Sequence, residues 1–145
     1  MTSSTIRGTD LNRYDGETPQ SAGSILGHEP MGIVDVVGYA VKLIKPGDRV
    51  VVTPNIACGV CLNCIQGDTN KCLTVNPHGS GATYGSAGYG GAQAEFLKVP
   101  YGDMACLKLP GKPRDELEDD FVLLADILPT AYLQQNLLRL NPEDL

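Results

Sequence analysis

Apolar positions along the chain change their period twice. Residues 1–24 mix Ser, Thr, Gly and Asp with isolated apolar side chains at no fixed spacing, so they are expected to form loop or a short edge strand. Two β-branched runs follow, GIVDVVG at 32–38 and DRVVVTP at 48–54, with KPGD at 45–48 between them; they predict two strands joined by a turn. Residues 76–93, NPHGSGATYGSAGYGGAQ, hold too much glycine for a helix and predict an extended surface loop. AEFLKVP at 94–100 and ACLKLP at 105–110 predict two more short strands. The period then switches to that of a helix: Phe121, Leu124 and Leu128 share one face behind the acidic start Asp115, Glu116, Glu118, Asp119 and Asp120. Pro129 ends that helix or opens a second one, PTAYLQQNLLRL, and NPED at 141–144 reads as a turn. Strands first and helices last describe a mainly β fold with C-terminal helices. The expected division is a polar segment at 1–24, a β domain at 25–113 with a cysteine lobe at 55–75, and a helical exit at 114–145.

Composition narrows the class of protein. A chain of 145 residues with 42% hydrophobic and 19% charged residues suits one globular unit with a real core, and 17 glycines with 10 prolines imply many turns. The formal net charge of −6 and the scattering of only 11 Lys and Arg argue against nucleic acid as a partner and against a nucleic-acid-binding zinc ribbon. The longest apolar stretch, FVLLADILPTAYL, is broken by Asp126 and Pro129 and is too short to span a bilayer, so no membrane partner is expected. The first residues, MTSSTIRGTDLN, lack the apolar segment of a secretion signal, and the expected location is the reducing cytoplasm.

In that compartment clustered cysteines hold metal more often than they form disulfides. Cys58, Cys61, Cys64 and Cys72 have the spacing C-x2-C-x2-C-x7-C, in which tight turns eased by Gly59 and Gly67 bring sulfurs to one point. Four thiolates make a closed tetrahedral zinc site with no position left for water or substrate, so this zinc is expected to be structural. An iron–sulfur cluster and unligated thiols are the alternatives; the first would continue x3-C-P, where this chain has x7-C-L. Cys106, among apolar neighbours, is expected to pack rather than ligate. The glycines of 76–93 do not form G-x-G-x-x-G and lead into a strand, which excludes a phosphate cradle.

Three further stretches gain meaning beside that lobe: IRGTDLN at 6–12, GHEPMGIVDVVG at 27–38 and LLADILPTAYL at 123–133. Together with the cysteines they resemble the zinc-dependent, medium-chain alcohol dehydrogenases. GAQAEFLKVPYGDMACLKLP and DELEDDFVLLADILPT are most similar to the glutathione-independent formaldehyde dehydrogenase branch. The resemblance implies a GroES-like, partly open β-barrel with a protruding four-cysteine zinc lobe. It also implies an oxidoreductase acting on a small alcohol or aldehyde with NAD(P), the nucleotide being held by a separate Rossmann domain, and association into a homo-oligomer. A second, catalytic zinc would polarise the substrate oxygen. By position, His28 and Asp126 match ligands of that zinc and Glu29 the carboxylate beside them. Thr9 matches the hydroxyl that relays the substrate proton, and Asp10 the carboxylate that orients the metal histidine.

The chain departs from the family's pattern in two places that serve one centre. Arg7 stands where the family has its first zinc ligand, a cysteine; a guanidinium has no lone pair to give and carries the wrong charge. Asn12 stands where a histidine passes the proton to solvent, and Asn does not titrate. Arg7 is therefore expected to supply the positive charge itself, pairing with Asp126 or Glu29. The resemblance further implies that the family's opening strands and its nucleotide-binding domain lie outside this sequence, so the chain reads as a catalytic-domain fragment, inactive as it stands. The alternative reading is a non-catalytic, zinc-stabilised binding or assembly module.

Overall fold

In the computed structural model, which describes residues 1–76, 81–86 and 88–138, the two β-branched runs meet in one antiparallel pair, the first of them only through Gly32 and Ile33. Strands β2 (Pro30–Ile33) and β3 (Arg49–Val52) are antiparallel, with Met31 opposite Val51 and Gly32 opposite Val50. Strand β1 (Ser3–Ser4) adds to the free side of β2, and β4 (Cys106–Lys108) to the free side of β3. The result is an open four-stranded antiparallel sheet in the order β1-β2-β3-β4.

Strand β3 explains how the sheet is held. Alternate side chains leave a strand on opposite faces. Val50 and Val52 accordingly enter one cluster with Ile56, Ala82, Tyr84 and Ala105, while Val51 enters another with Met31, Leu109, Val122 and Ala125. Because both faces are covered, all four residues of β3 are buried, including Arg49. Its guanidinium meets Glu118 at 2.6 Å and Asp115 at 3.1 Å and lies 5.0 Å from the Phe121 ring, which ties helix α4 (Glu118–Val122) to the sheet.

These ion pairs set an acid limit on the fold. Hydrogen bonding from the Lys112 backbone, helped by Arg49, lowers the Asp115 carboxyl, and the Lys108 contact lowers Asp48. Burial pushes Glu118 up, but hydrogen bonds from Thr2, the Arg114 backbone and Ser3 with the Arg49 charge outweigh it and leave it lowered. Carboxyls lowered in the folded state stabilise it above their unfolded values of 3.8 and 4.5, and that contribution is lost as pH falls through the folded values. The melting temperature is expected to fall steeply below about pH 4, and less steeply in Glu118→Gln. A transition as high at pH 3 as at pH 6 would contradict this.

Three expectations change, the first being that the Gly-rich segment lies on the surface: Ala82, Tyr84 and Ala92 within it are buried. Residues 8–14 were expected to be loop or edge strand, yet Gly8–Tyr14 form a helix, α1. Its one buried residue is the polar Asp10, whose Oδ2 accepts the Arg7 N–H at 2.9 Å; with no apolar stripe, the helix leaves no hydrophobic period to read. Residues 94–100 keep the strand-like alternation, with Leu97 and Val99 packed on the core and Phe96 outside, but they join no ladder. The segment pairs with neither edge strand of the sheet, so alternation here records which face is buried and not a paired neighbour. Between this segment and the sheet lies an apolar cavity of about 500 Å³, the unclosed interior. Residues Gly102–Ala105, just before β4, form a short helix, α3.

The helical exit follows its sequence closely. Helix α4 runs into a 3-10 turn at Leu123–Ala125, breaks at Asp126 (φ −152°, ψ −53°), and resumes as α5 (Ile127–Leu138). Pro129 falls in the first turn of α5; a proline ring clashes with the carbonyl four residues earlier, here Ala125, so the break comes where the chemistry demands. Phe121 and Leu124 pack on the second cluster, while Leu128 is half exposed. The NPED turn at 141–144 lies outside the described residues. Among those described, no helix is long and apolar enough to cross a membrane.

Candidate functional site

Two clusters of metal-ligating side chains form among the described residues, and they differ in what already occupies their centre. The first is the cysteine lobe. Cys61 caps helix α2 (Leu62–Ile65), Cys64 sits inside it, and a 3-10 turn at Thr69–Lys71 delivers Cys72. Gly59 and Gly67 take φ of +77° and +94°, the left-handed conformation that such turns impose. All four sulfurs lie within 4.8 Å of one another, and Cys61 Sγ is 3.9 Å from Cys72 Sγ. A zinc ion with bonds of about 2.3 Å needs sulfurs about 3.8 Å apart, so the cluster fits a tetrahedral zinc held by four cysteines.

The surroundings of the sulfurs also suit thiolates. The N–H groups of Val60 and Cys61 point at Cys58 Sγ, at 3.5 and 3.3 Å, and Cys58 N–H points at Cys72 Sγ at 3.3 Å. The Thr74 hydroxyl donates to Cys58 at 3.2 Å, and with the backbone donors it lowers that thiol to about 6. Burial pushes Cys64 the other way, to about 12, a penalty that a coordinated cation removes. Cys106 stands apart on β4, packs against the first core cluster, and is raised to about 11 by burial. None of the five cysteines is in a disulfide.

The second cluster is His28, Glu29 and Asp126, whose ligand atoms also lie within 4.8 Å of one another. His28 and Glu29 immediately precede β2 and are buried, and Asp126 enters from the break before α5. Here the cation is built in. Arg7 Nη1 lies 2.8 Å from Glu29 Oε1 and also donates to Asp126 Oδ2, so the guanidinium bridges both carboxylates. Thr5 holds the other oxygen of Glu29, and Thr130 donates to Asp126 Oδ1 at 3.0 Å. His28 Nε2 is 3.6 Å from Asp126. With a guanidinium already in the carboxylate cleft, this donor set does not fit a zinc ion.

The residues expected to serve this centre are gathered in one place. Asp10 Oδ1 lies 3.8 Å from His28 Nδ1, beyond hydrogen-bond reach, and instead accepts the Gly27 N–H at 3.1 Å. It thereby pins α1 to the segment carrying His28. Thr9, His28 and Asp126 all line one polar cavity of about 240 Å³, together with Arg13, Asn55 and Thr83. Those last three, and the supports Thr5 and Thr130, carried no mark in the sequence except Thr130, which stands one helical turn after Asp126.

The chain is similar to known proteins over most of its length. Residues 1–111 match the alcohol dehydrogenase GroES-like domain. The chain is 43% identical over 136 residues to the glutathione-independent formaldehyde dehydrogenase of Pseudomonas aeruginosa (strain LESB58), covering 91% of this chain and 34% of that protein. The alcohol dehydrogenase of Thermus sp. ATN1 superposes with a TM-score of 0.79 at 38% identity, covering 94% of this chain and 38% of that one. A short chain alcohol dehydrogenase of E. coli CFT073, solved with NADH, gives a TM-score of 0.61 at 29% identity over 83% of this chain and 32% of the other. The chain thus spans about a third of the length of the curated relatives it matches.

Proposed function

Because the chain belongs to the alcohol dehydrogenase GroES-like domain family, we propose that it is the zinc-stabilised catalytic-domain portion of an oxidoreductase acting on a small alcohol or aldehyde with NAD(P). The similarity to a formaldehyde dehydrogenase favours a small aldehyde as the substrate class. The division into a polar segment at 1–24, a β domain at 25–113 and a helical exit at 114–145 is part of this proposal, as is association into a homo-oligomer.

Within that frame the two clusters have different roles. Zinc bound by Cys58, Cys61, Cys64 and Cys72 holds the lobe in shape and has no open position for chemistry. Around His28, Arg7 bridges Glu29 and Asp126 and offsets one of their two charges, Thr9 lines the cavity, and Asp10 locks α1 to the His28 segment. As it stands, this centre supports no metal-assisted hydride transfer. The observation that carries the reading is the Arg7 guanidinium bridging the two carboxylates, beside four sulfurs that all lie within 4.8 Å of one another.

The second reading, a non-catalytic zinc-stabilised module, is favoured by the same Arg7 contact. Elemental analysis of the intact chain after dialysis is expected to give one zinc per chain. Two would overturn the role assigned to Arg7, and none would overturn the lobe assignment. NADH formation with formaldehyde or a simple alcohol would count against the module reading.

A further inference from the structure

Most donors to the lobe's sulfurs come with the turns themselves. The N–H groups of Val60 and Cys61 reach Cys58 Sγ at 3.5 and 3.3 Å, and the Cys58 N–H reaches Cys72 Sγ at 3.3 Å. Any sequence able to make these turns would supply them. The Thr74 hydroxyl, 3.2 Å from Cys58 Sγ, is different, because a side chain supplies it and a substitution can remove it. Thr74 itself lies on the surface, where water would satisfy its hydroxyl, yet that hydroxyl is turned onto the sulfur of a residue only 7% exposed.

The segment that carries Thr74 is held in place around it. The Asn76 N–H donates to the Cys72 carbonyl at 2.9 Å and closes the turn over residues 72–76, while the Asn76 side-chain amide reaches the Asn70 carbonyl at 3.3 Å. Val75 packs against the sulfur cluster. A β-branched side chain on a backbone so fixed has few rotamers left, so Thr74 stands over Cys58 at little further cost in order. The need for such a donor follows from charge. Four thiolates around a divalent cation leave a net negative charge, and none of the ion pairs among the described residues brings a cationic side chain to the lobe. Donors aimed at sulfur spread that charge, and a hydrogen bond to an ionised acceptor is roughly twice as strong as a neutral one.

We propose that Thr74 is a positioning residue for the lobe's zinc: its hydroxyl holds Cys58 as a hydrogen-bonded thiolate and thereby slows loss of the metal. The proposal rests on the zinc assignment of the four cysteines and extends it to a residue that binds no metal. Removing an outer partner of a metal ligand typically costs about 10–100-fold in affinity. A hydrogen bond to a coordinated sulfur also lowers the energy of its lone pairs, so it is visible in any metal that shows a sulfur-to-metal charge-transfer band.

The test compares the intact, zinc-loaded chain with Thr74→Val, which keeps the shape without the hydroxyl, and Thr74→Ser, which keeps the hydroxyl. Thr74→Val is expected to give up zinc to a chelator about tenfold faster or more, and Thr74→Ser to stay within about threefold of the parent. In the cobalt(II)-substituted chains the sulfur-to-metal band is expected to move to longer wavelength in Thr74→Val and to return in Thr74→Ser, a shift that lost packing alone would not produce. In the unaltered zinc-loaded chain, three-bond couplings in NMR are expected to report one χ1 rotamer of Thr74, which decides the matter even if Thr74→Val fails to fold. Equal release rates and spectra in the parent and Thr74→Val, a serine variant that behaves like the valine one, or averaged Thr74 rotamers would overturn the proposal while leaving zinc in the lobe. A parent chain that binds no zinc would overturn the lobe assignment and this proposal together.

Discussion

Replacing Cys61 by serine is expected to empty the lobe of zinc and to lower the melting temperature by about 10 °C or more. The reason lies in what else holds the lobe. Its buried cluster is Ala57 with Cys58, Cys64 and Cys72, so the sulfurs themselves are most of its core. The larger apolar side chains face outward: Val60, Leu62 and Ile65 are more than 60% exposed. Without a cation the lobe would rest on a few N–H···S contacts and one short helix. Structural zinc in small modules contributes about 10 kcal/mol or more of apparent binding free energy, and a trio of thiolates cannot close the tetrahedron. Loss of even about 3 kcal/mol would move the transition by several degrees per kcal/mol in a chain of this size. Elemental analysis with calorimetry checks both halves, and a chelator should reproduce the effect in the parent chain. Zinc content and melting temperature unchanged in Cys61→Ser would sink the ligand assignment, whereas Cys106→Ser should retain its zinc.

The second large effect is expected at Arg7. Arg7→Met removes the cation from Glu29, which is only 1% exposed, and from Asp126. Breaking a buried pair on one side typically costs about 3–5 kcal/mol, because the remaining charge has neither water nor partner. The Arg7 side chain is itself 28% exposed, so screening places the loss toward the low end of that range. Arg7→Cys should behave differently. A thiolate there joins His28, Glu29 and Asp126 in a donor set that zinc accepts, so metal content should rise from one to two per chain and zinc should restore most of the lost stability. Denaturant unfolding with and without added zinc, read beside elemental analysis, measures both. An Arg7→Met chain as stable as the parent would contradict the ion-pair argument, and an Arg7→Cys chain that stays at one zinc would contradict the geometric one.

Features within a few residues of one another were legible from the chain alone. The C-x2-C-x2-C-x7-C spacing placed four sulfurs at one point because turns of that length can do little else. The β-branched run at 48–54 contains β3, whereas β2 begins at Pro30 and shares only Gly32 and Ile33 with the run at 32–38. Pro129 announced the helix break, since the proline clash acts only four residues back. The motifs also carried the family, which the match over residues 1–111 bears out.

Other features were not legible, each for a physical reason. Helix α1 buries Asp10 and no apolar face, so a search for hydrophobic period passes over it. Residues 94–100 alternate like a strand because Leu97 and Val99 pack on the core, yet they pair with neither edge of the sheet. Arg7 was expected to meet one carboxylate and meets two, 22 and 119 residues away in sequence. The cavity that unites Thr9, Arg13 and Asn55 has no sequence signature at all. Local spacing therefore determined the cysteine lobe, strand β3, the helix break and the family. Only the packing of distant segments decided that a guanidinium bridges the carboxylates beside His28 and that Thr9, Arg13 and Asn55 line one cavity with it. Turn and strand geometry is set by neighbours in the chain, whereas charge pairing and cavities are set by which segments the two core clusters bring together.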